Sequence, residues 1–192
     1  MTMDYYRQHA DAFFSGTVDV DMASLYRPFI AALPAQGRVL DAGCGSGRDS
    51  RAFAGLGYAV DAFDASPEMV AMAREHSGLA VRQMRFDEVE AVSRYDGIWC
   101  CASLLHVSSA ELPDAMQRLA RALKPGGIWY VSFKYGEGER AKEGRRFTDL
   151  NETGLAALVQ PLEGIAIRKI WTTADKRPER TETWLNALLV HA

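Results

Sequence analysis

The chain is organised around one stretch, Arg38-Val39-Leu40-Asp41-Ala42-Gly43-Cys44-Gly45-Ser46-Gly47-Arg48-Asp49. The apolar run from Val39 to Ala42 reads as a buried strand, and the residues from Arg48 onward as a helix. Between them, glycines at 43, 45 and 47 allow φ > 0 and let a ligand come close to the backbone. The helix behind the turn presents free N–H groups and a positive dipole end to whatever sits there. A dinucleotide-binding turn would carry G-x-G-x-x-G, with room for a pyrophosphate on the helix end. Here the spacing is G-x-G-x-G, with Asp41 two residues before the first glycine. A fixed carboxylate at that point repels a pyrophosphate and attracts an ammonium group, so the turn suits a nucleoside with an amino-acid tail.

The elements that follow extend this reading. Tyr58 to Phe63 forms a second strand ending in Asp64. A doubly wound fold places an acid against ribose hydroxyls about twenty residues after the glycine turn. A carboxylate accepts two O–H donors at once, which matches a cis-diol. Ser66 and Pro67 then supply the N-cap and first position of a helix. Leu79 to Arg85 is a third strand, and Phe86-Asp87 follows it. An aromatic neighbour stacks on a base and an acid accepts its exocyclic amine. Asp87 takes the second role by position, with Glu88 or Phe86 as alternatives. Tyr95 to Cys101 is a continuously apolar fourth strand, buried on both faces. It leads into Ala102-Ser103-Leu104-Leu105-His106-Val107, a loop over the carboxyl ends of the strands. His106 there is a general base, a substrate ligand, or a histidine satisfied by backbone that closes the pocket.

Two helices precede the first strand, within residues 1–36. Most of their apolar residues serve as packing, but Tyr5, Tyr6 and Arg7 form an aromatic and basic cluster poorly explained as core. Pro113 to Leu123 is an amphipathic helix, and Ile128 to Phe133 a fifth strand. Residues 134–150 are the most polar stretch, glycine-rich and without clear period, and read as a mobile loop. Its Arg145 and Arg146 are either a solvated surface pair or a planar grip on an anionic substrate. A short helix from Leu155 to Leu158 precedes two terminal antiparallel strands, Glu163 to Thr173 and Thr183 to Val190.

The 192 residues suffice for one domain with a full core, spanning 1–192. The net charge of −3 argues against a nucleic-acid-coating surface. No apolar run reaches the ~18 residues of a membrane span, and the N-terminus lacks an apolar signal core, so a cytoplasmic location is expected. Three cysteines without a C-x-x-C pair suit neither a disulfide framework nor a zinc site, and no metal is expected.

Several of these stretches resemble one family. D-A-G-C-G-S-G-R-D at 41–49 resembles the first motif of class I S-adenosylmethionine-dependent methyltransferases, and V-D-A-F-D-A-S at 60–66 their second. Y-D-G-I-W-C-C-A-S-L-L-H-V at 95–107 is similar to the fourth motif of small-molecule enzymes of this class, including the tellurite-resistance type. L-K-P-G-G before the fifth strand recurs in the same family. The resemblance implies an α/β fold, a doubly wound, mainly parallel seven-stranded sheet with a terminal antiparallel strand. It implies S-adenosylmethionine held by Asp41, Gly43, Gly45, Arg48, Asp64, Ala65, Phe86, Asp87, Ala102 and Leu104. His106 and Tyr6 become the catalytic candidates, and Tyr5, Arg145 and Arg146 the substrate-binding ones. Residues 1–36 become a helical cap and residues 134–150 a substrate loop. The activity implied is methylation of a small molecule, anionic or polar. Two rival functions are methylation of nucleic acid and non-catalytic binding of S-adenosylmethionine. The fourth strand ends in Cys-Ala-Ser-Leu rather than the proline-rich run of enzymes that methylate exocyclic amines of bases.

Overall fold

The computed structural model describes residues 2–177 and 180–192. Its elements run α1 (Thr2–Thr17), α2 (Ala23–Ile30), β1 (Arg38–Ala42), α3 (Arg48–Gly55), β2 (Ala59–Asp64), α4 (Pro67–Ser77), β3 (Arg82–Gln83) and β4 (Tyr95–Cys100). They continue with α5 (Leu112–Ala122), β5 (Leu123–Lys134), β6 (Gly138–Lys142), β7 (Arg145–Asp149), α6 (Glu152–Val159), β8 (Ile165–Ala174) and β9 (Thr183–His191). Short 3₁₀ turns cover Phe86–Glu88 and Leu104–His106.

Seven strands form one sheet in the order β3-β2-β1-β4-β5-β9-β8. β1 pairs in parallel with both β2 and β4, and β4 with β5, whereas β9 runs antiparallel to β5 and β8. Strand order reverses between β1 and β4, so the carboxyl ends of the central strands part there and leave a crevice.

Alternation along the central strands divides the core into two layers. Ile98, Cys100, Trp129 and Val131 pack with α5 and α6 on one face. Trp99 and Tyr130 face the other way, among Phe29 of α2 and Phe53 of α3. Trp99 and Tyr130 lie opposite each other in register, and their rings stack 3.9 Å apart. Gly97 lets Phe29 of α2 and Leu33 just beyond it settle on this face of the sheet, because a Cβ there would fall 2.6 Å from Leu33 and 2.8 Å from Phe29.

Three elements differ from the sequence reading. The third strand is limited to Arg82–Gln83, which meet only Phe63 and Asp64 at the end of β2. At the sheet edge, the rest of 79–85 has no second partner to hold it extended. The fifth strand begins earlier, at Leu123, because Leu123 already pairs with Tyr95 before an irregularity in register. The stretch 134–150 is not an irregular loop. It contains the hairpin β6–β7, closed by Glu143 and Gly144 at φ 52° and 73°. Two positive φ values fit the tight turn that matches strand twist.

Candidate functional site

A cavity of about 650 Å³ opens over the carboxyl ends of β1, β2, β4 and β5, walled on its far side by α1 and β7. At one end lies the glycine turn. The N–H groups of Gly43 and Cys44 both donate to Phe63 O at 2.9 Å, folding the turn back on β2. Gly43 has φ 76°, and a Cβ there would meet Ser103 Cβ at 2.5 Å. The loop after β4 therefore requires this glycine as much as the turn does. Ser103 secures the contact by donating its hydroxyl to Ala42 O at 2.7 Å.

Asp64 stands beside the turn at the end of β2. Gly45 N donates to its Oδ2 and Ser66 N to its Oδ1, each at 2.9 Å. Burial raises its carboxyl above the ordinary range, and these backbone donors oppose the rise. Each oxygen keeps a further lone pair. Ala65, Phe86 and Met84 line the same wall, and Phe86 packs edge-on to Phe63 with centroids 5.3 Å apart. Asp87 stands at the rim, largely exposed and 3.1 Å from Arg85. Ala102 also lines the cavity, with the strained φ of 52° for a residue bearing a Cβ, and its N–H donates to Ser132 Oγ at 2.8 Å.

Beneath the turn sits a buried polar hub. Asp49, only 5% exposed, accepts from Arg48 Nε at 2.6 Å and from Trp99 Nε1 at 2.8 Å. Tyr26 donates its hydroxyl to the same carboxylate. Burial raises the Asp49 pKa, but the charge and hydrogen bonds of Arg48, with the Tyr26 and Trp99 donors, outweigh it and hold the group low. Neighbouring Asp41 moves the other way, raised by burial and then by the Asp49 charge. Arg48 also reaches Thr17 O at 3.1 Å, tying the end of α1 to the turn.

The far end of the cavity is built from α1, the turn after β4, and β7. Nδ1 of His106 lies 2.9 Å from Arg146 O, and Nε2 lies 3.0 Å from Tyr6 Oη. A carbonyl can only accept, so Nδ1 carries the proton and Nε2 accepts the Tyr6 hydroxyl. Burial, with the Arg145 and Lys134 charges nearby, pushes the His106 pKa down to about 4. Burial also raises the Tyr6 hydroxyl pKa. Both groups are neutral at pH 7. An NMR titration should show His106 holding its neutral shift until pH falls toward 4, and an inflection near 6.5 would contradict this. The unfolded chain takes up that proton near pH 6.5, so the contribution to stability is complete above this and lost as pH falls through about 4.

The structure divides the expected site residues. Gly43, Gly45, Arg48, Asp64, Ala65, Phe86, Asp87 and Ala102 line one end of the cavity. Tyr6, His106 and Arg145 line the other. Asp41 and Leu104 are not in the lining. Asp41 accepts from Ser50 Oγ at 2.5 Å beneath the turn, and Leu104 is fully buried in the core, leaving Leu105 to face the cavity. The arginine pair is split, because adjacent strand residues point to opposite faces. Arg145 turns inward, while Arg146 is exposed with its Nε 3.8 Å from Glu139. Tyr5 lies outside the lining and packs behind Arg145, 4.1 Å from its guanidinium carbon. Lys134 and Phe147, within the expected substrate loop, also line the cavity, as do Asp49, Glu182 and Trp184, which the sequence did not mark as site residues. The available signal was alternation after the Glu-Gly turn, which puts Arg145 and Phe147 on one face.

The strand order, the glycine turn after β1 and the acid at the end of β2 define the class I S-adenosylmethionine-dependent methyltransferase fold. Residues 39–127 match the methyltransferase-domain family, whose class takes S-adenosylmethionine as cofactor. A ubiquinone biosynthesis O-methyltransferase of Xanthomonas axonopodis pv. citri (strain 306) is 38% identical over 107 residues, covering 52% of this chain and 44% of the relative. The corresponding protein of Xylella fastidiosa (strain 9a5c) is 40% identical over 104 residues, covering 50% of this chain and 41% of the relative. The chain thus spans less than half the length of these two relatives. Among solved structures, the 1,6-didemethyltoxoflavin-N1-methyltransferase of Burkholderia thailandensis, with its substrate and S-adenosylhomocysteine bound, superposes with a TM-score of 0.77 at 24% identity, covering 97% of this chain and 83% of that one. No helix of the described residues is long and apolar enough to cross a membrane.

Proposed function

We propose that this chain transfers a methyl group from S-adenosylmethionine to a small polar or anionic molecule. The observation that carries the reading is continuity: a single cavity joins the glycine turn and Asp64 to Tyr6, His106 and Arg145. The turn end fits the cofactor's parts. Asp64 has lone pairs left for a ribose diol, Met84 and Phe86 offer an apolar wall for the base, and the Arg48 cation suits the carboxylate of the tail. The relatives act, by their names, in ubiquinone biosynthesis and on a toxoflavin precursor, both small-molecule chemistry.

When bound, S-adenosylmethionine supplies an electrophilic methyl group and a thioether leaving group. The chain's own task is alignment and exclusion of water. Tyr6 donates a hydrogen bond to His106 Nε2, which leaves an Oη lone pair to accept a hydrogen bond from the acceptor's N–H or O–H. His106, locked by Arg146 O, positions Tyr6. With a pKa of about 4 it is a weak base, so its role here is orientation rather than proton abstraction.

Calorimetry should show S-adenosylmethionine binding, and a metabolite screen should show S-adenosylhomocysteine release with at least one small acceptor. A folded protein that binds neither molecule would sink the reading. Binding without turnover on any acceptor, nucleic acid included, would favour a non-catalytic module instead. Asp64→Ala is expected to weaken cofactor binding by about 1.5–3 kcal/mol, as for hydrogen bonds lost to a charged group. Unchanged affinity would remove Asp64 from the site.

A further inference from the structure

The geometry points to a specific kind of acceptor: a flat aromatic ring bearing an anionic group with an N–H or O–H donor beside it, held by Arg145 Nε and Glu182 Oε2. This deepens the methyl-transfer reading and rests on it. Among the described residues, two buried polar atoms on residues that line the cavity have no hydrogen-bond partner, and they are of opposite kinds. One is the donor Arg145 Nε and the other the acceptor Glu182 Oε2. The third such atom, Asp149 Oδ1, belongs to a residue outside this cavity. Buried polar groups are nearly always paired, and leaving one unpaired is costly. A ligand offering an acceptor and a donor together would satisfy both.

Both orphan groups are held in place. The Arg145 guanidinium carbon lies 4.1 Å from the Tyr5 ring centroid and 5.2 Å from that of Phe147, and its Nη2 donates to Glu143 at 2.9 Å. With Nη2 engaged, its Nε edge is left for a carboxylate-like group. Glu182 uses Oε1 for Lys134 Nζ at 2.6 Å, so its free oxygen is Oε2. Lys134 Nζ itself sits 4.1 Å from the Phe147 centroid. Phe147 is thus a neighbour of Arg145 and of the Lys134 that holds Glu182, and with Trp184 it offers aromatic surface for a ring. Charge points the same way. Lys134 and Arg145, both buried, bring two cations to this end of the cavity, where Glu182 supplies a carboxylate. An anion beside Arg145 would be paired with one of them.

Three probes separate the requirements: anthranilate carries the anion and the donor, benzoate the anion alone, and aniline the donor alone. Calorimetry with S-adenosylhomocysteine present should rank anthranilate at least tenfold above benzoate, with aniline weakest. Arg145→Lys keeps the charge but removes Nε, and should weaken anthranilate and benzoate alike by tenfold or more. In Glu182→Gln, Lys134 holds the amide oxygen and the NH₂ faces the ligand's donor, so anthranilate should fall to the level of benzoate. The proposal is overturned if aniline matches anthranilate, if none of the three binds, or if folded Arg145→Lys leaves both anions unaffected. Should a variant fail to fold, the ranking on the wild-type protein decides alone. Failure of S-adenosylhomocysteine to bind would instead strike the methyl-transfer reading, and calorimetry on that ligand alone tells the two failures apart.

Discussion

Asp49→Ala is expected to lower the unfolding free energy by about 3–5 kcal/mol, the range for removing one partner of a buried ion pair. The carboxylate is the common acceptor for Arg48, Tyr26 and Trp99, which come from α3, α2 and β4. Its loss strands a buried guanidinium, a phenol and an indole N–H together. Apolar contacts around Trp99 remain, so the protein should still fold, with a melting temperature lower by about 10 °C for a chain of this size. Denaturant unfolding followed by tryptophan fluorescence measures this directly. A loss below about 1 kcal/mol would mean that the hub is solvated or dispensable. Asp41→Asn is the informative contrast. Burial and the Asp49 charge already disfavour the Asp41 anion, so neutralising it should cost far less. The pH dependences oppose each other too. Asp49, held low, gives stability that is present above its unfolded pKa of about 3.9 and lost as pH falls through its lower folded value. Asp41, held high, subtracts stability as pH rises above that same unfolded value.

Tyr6→Phe is expected to lower kcat/KM by about 100-fold with cofactor affinity unchanged, the scale of effect when a reacting group loses its alignment. The ring keeps its edge-on contacts with Tyr5 and Phe13, at 5.5 and 5.0 Å between centroids, so packing is preserved. What disappears is the Oη that contacts His106 Nε2 and that, on the proposed function, meets the acceptor. His106→Asn should cost less than Tyr6→Phe, since it removes the partner that orients the hydroxyl rather than the hydroxyl itself. The wild-type rate should show no inflection between pH 6 and 8 from His106, because its pKa is about 4. A larger loss in His106→Asn than in Tyr6→Phe, with a bell-shaped profile near neutrality, would make His106 the base.

The glycine-turn end of the cavity was legible because its requirements are local. Gly43, Asp64 and the Ser66 cap are set by chain direction at two strand ends, and each leaves a mark at fixed spacing. The seven-stranded, mainly parallel sheet was implied by the family resemblance that these motifs carry, and the strand order agrees with it. The acceptor end was not legible, because its residues meet only through tertiary contact. Nothing local joins Tyr6 to His106, or Lys134 to Glu182. The polar composition of 134–150 concealed a hairpin whose alternation begins only after Glu143-Gly144. Arg145 and Arg146 looked equivalent as neighbours until β7 sent them to opposite faces. Asp41 stands where its distance from Gly43 led one to expect a ligand contact, but its side chain turns under the strand toward Ser50.

The boundaries of the family match acquire a meaning from this layout. Residues 39–127 contain the glycine turn, Asp64, the β4 loop and His106. Tyr6, Lys134, Arg145, Phe147, Glu182 and Trp184 all fall outside it. On the proposed function, the segment matched by the family model carries the cofactor contacts, and the choice of acceptor lies with residues outside it. On that reading a change of substrate preference is to be sought in β7 and at the start of β9, which carry Arg145, Phe147 and Trp184, whereas α1 is bound to the glycine turn through Arg48 and Thr17.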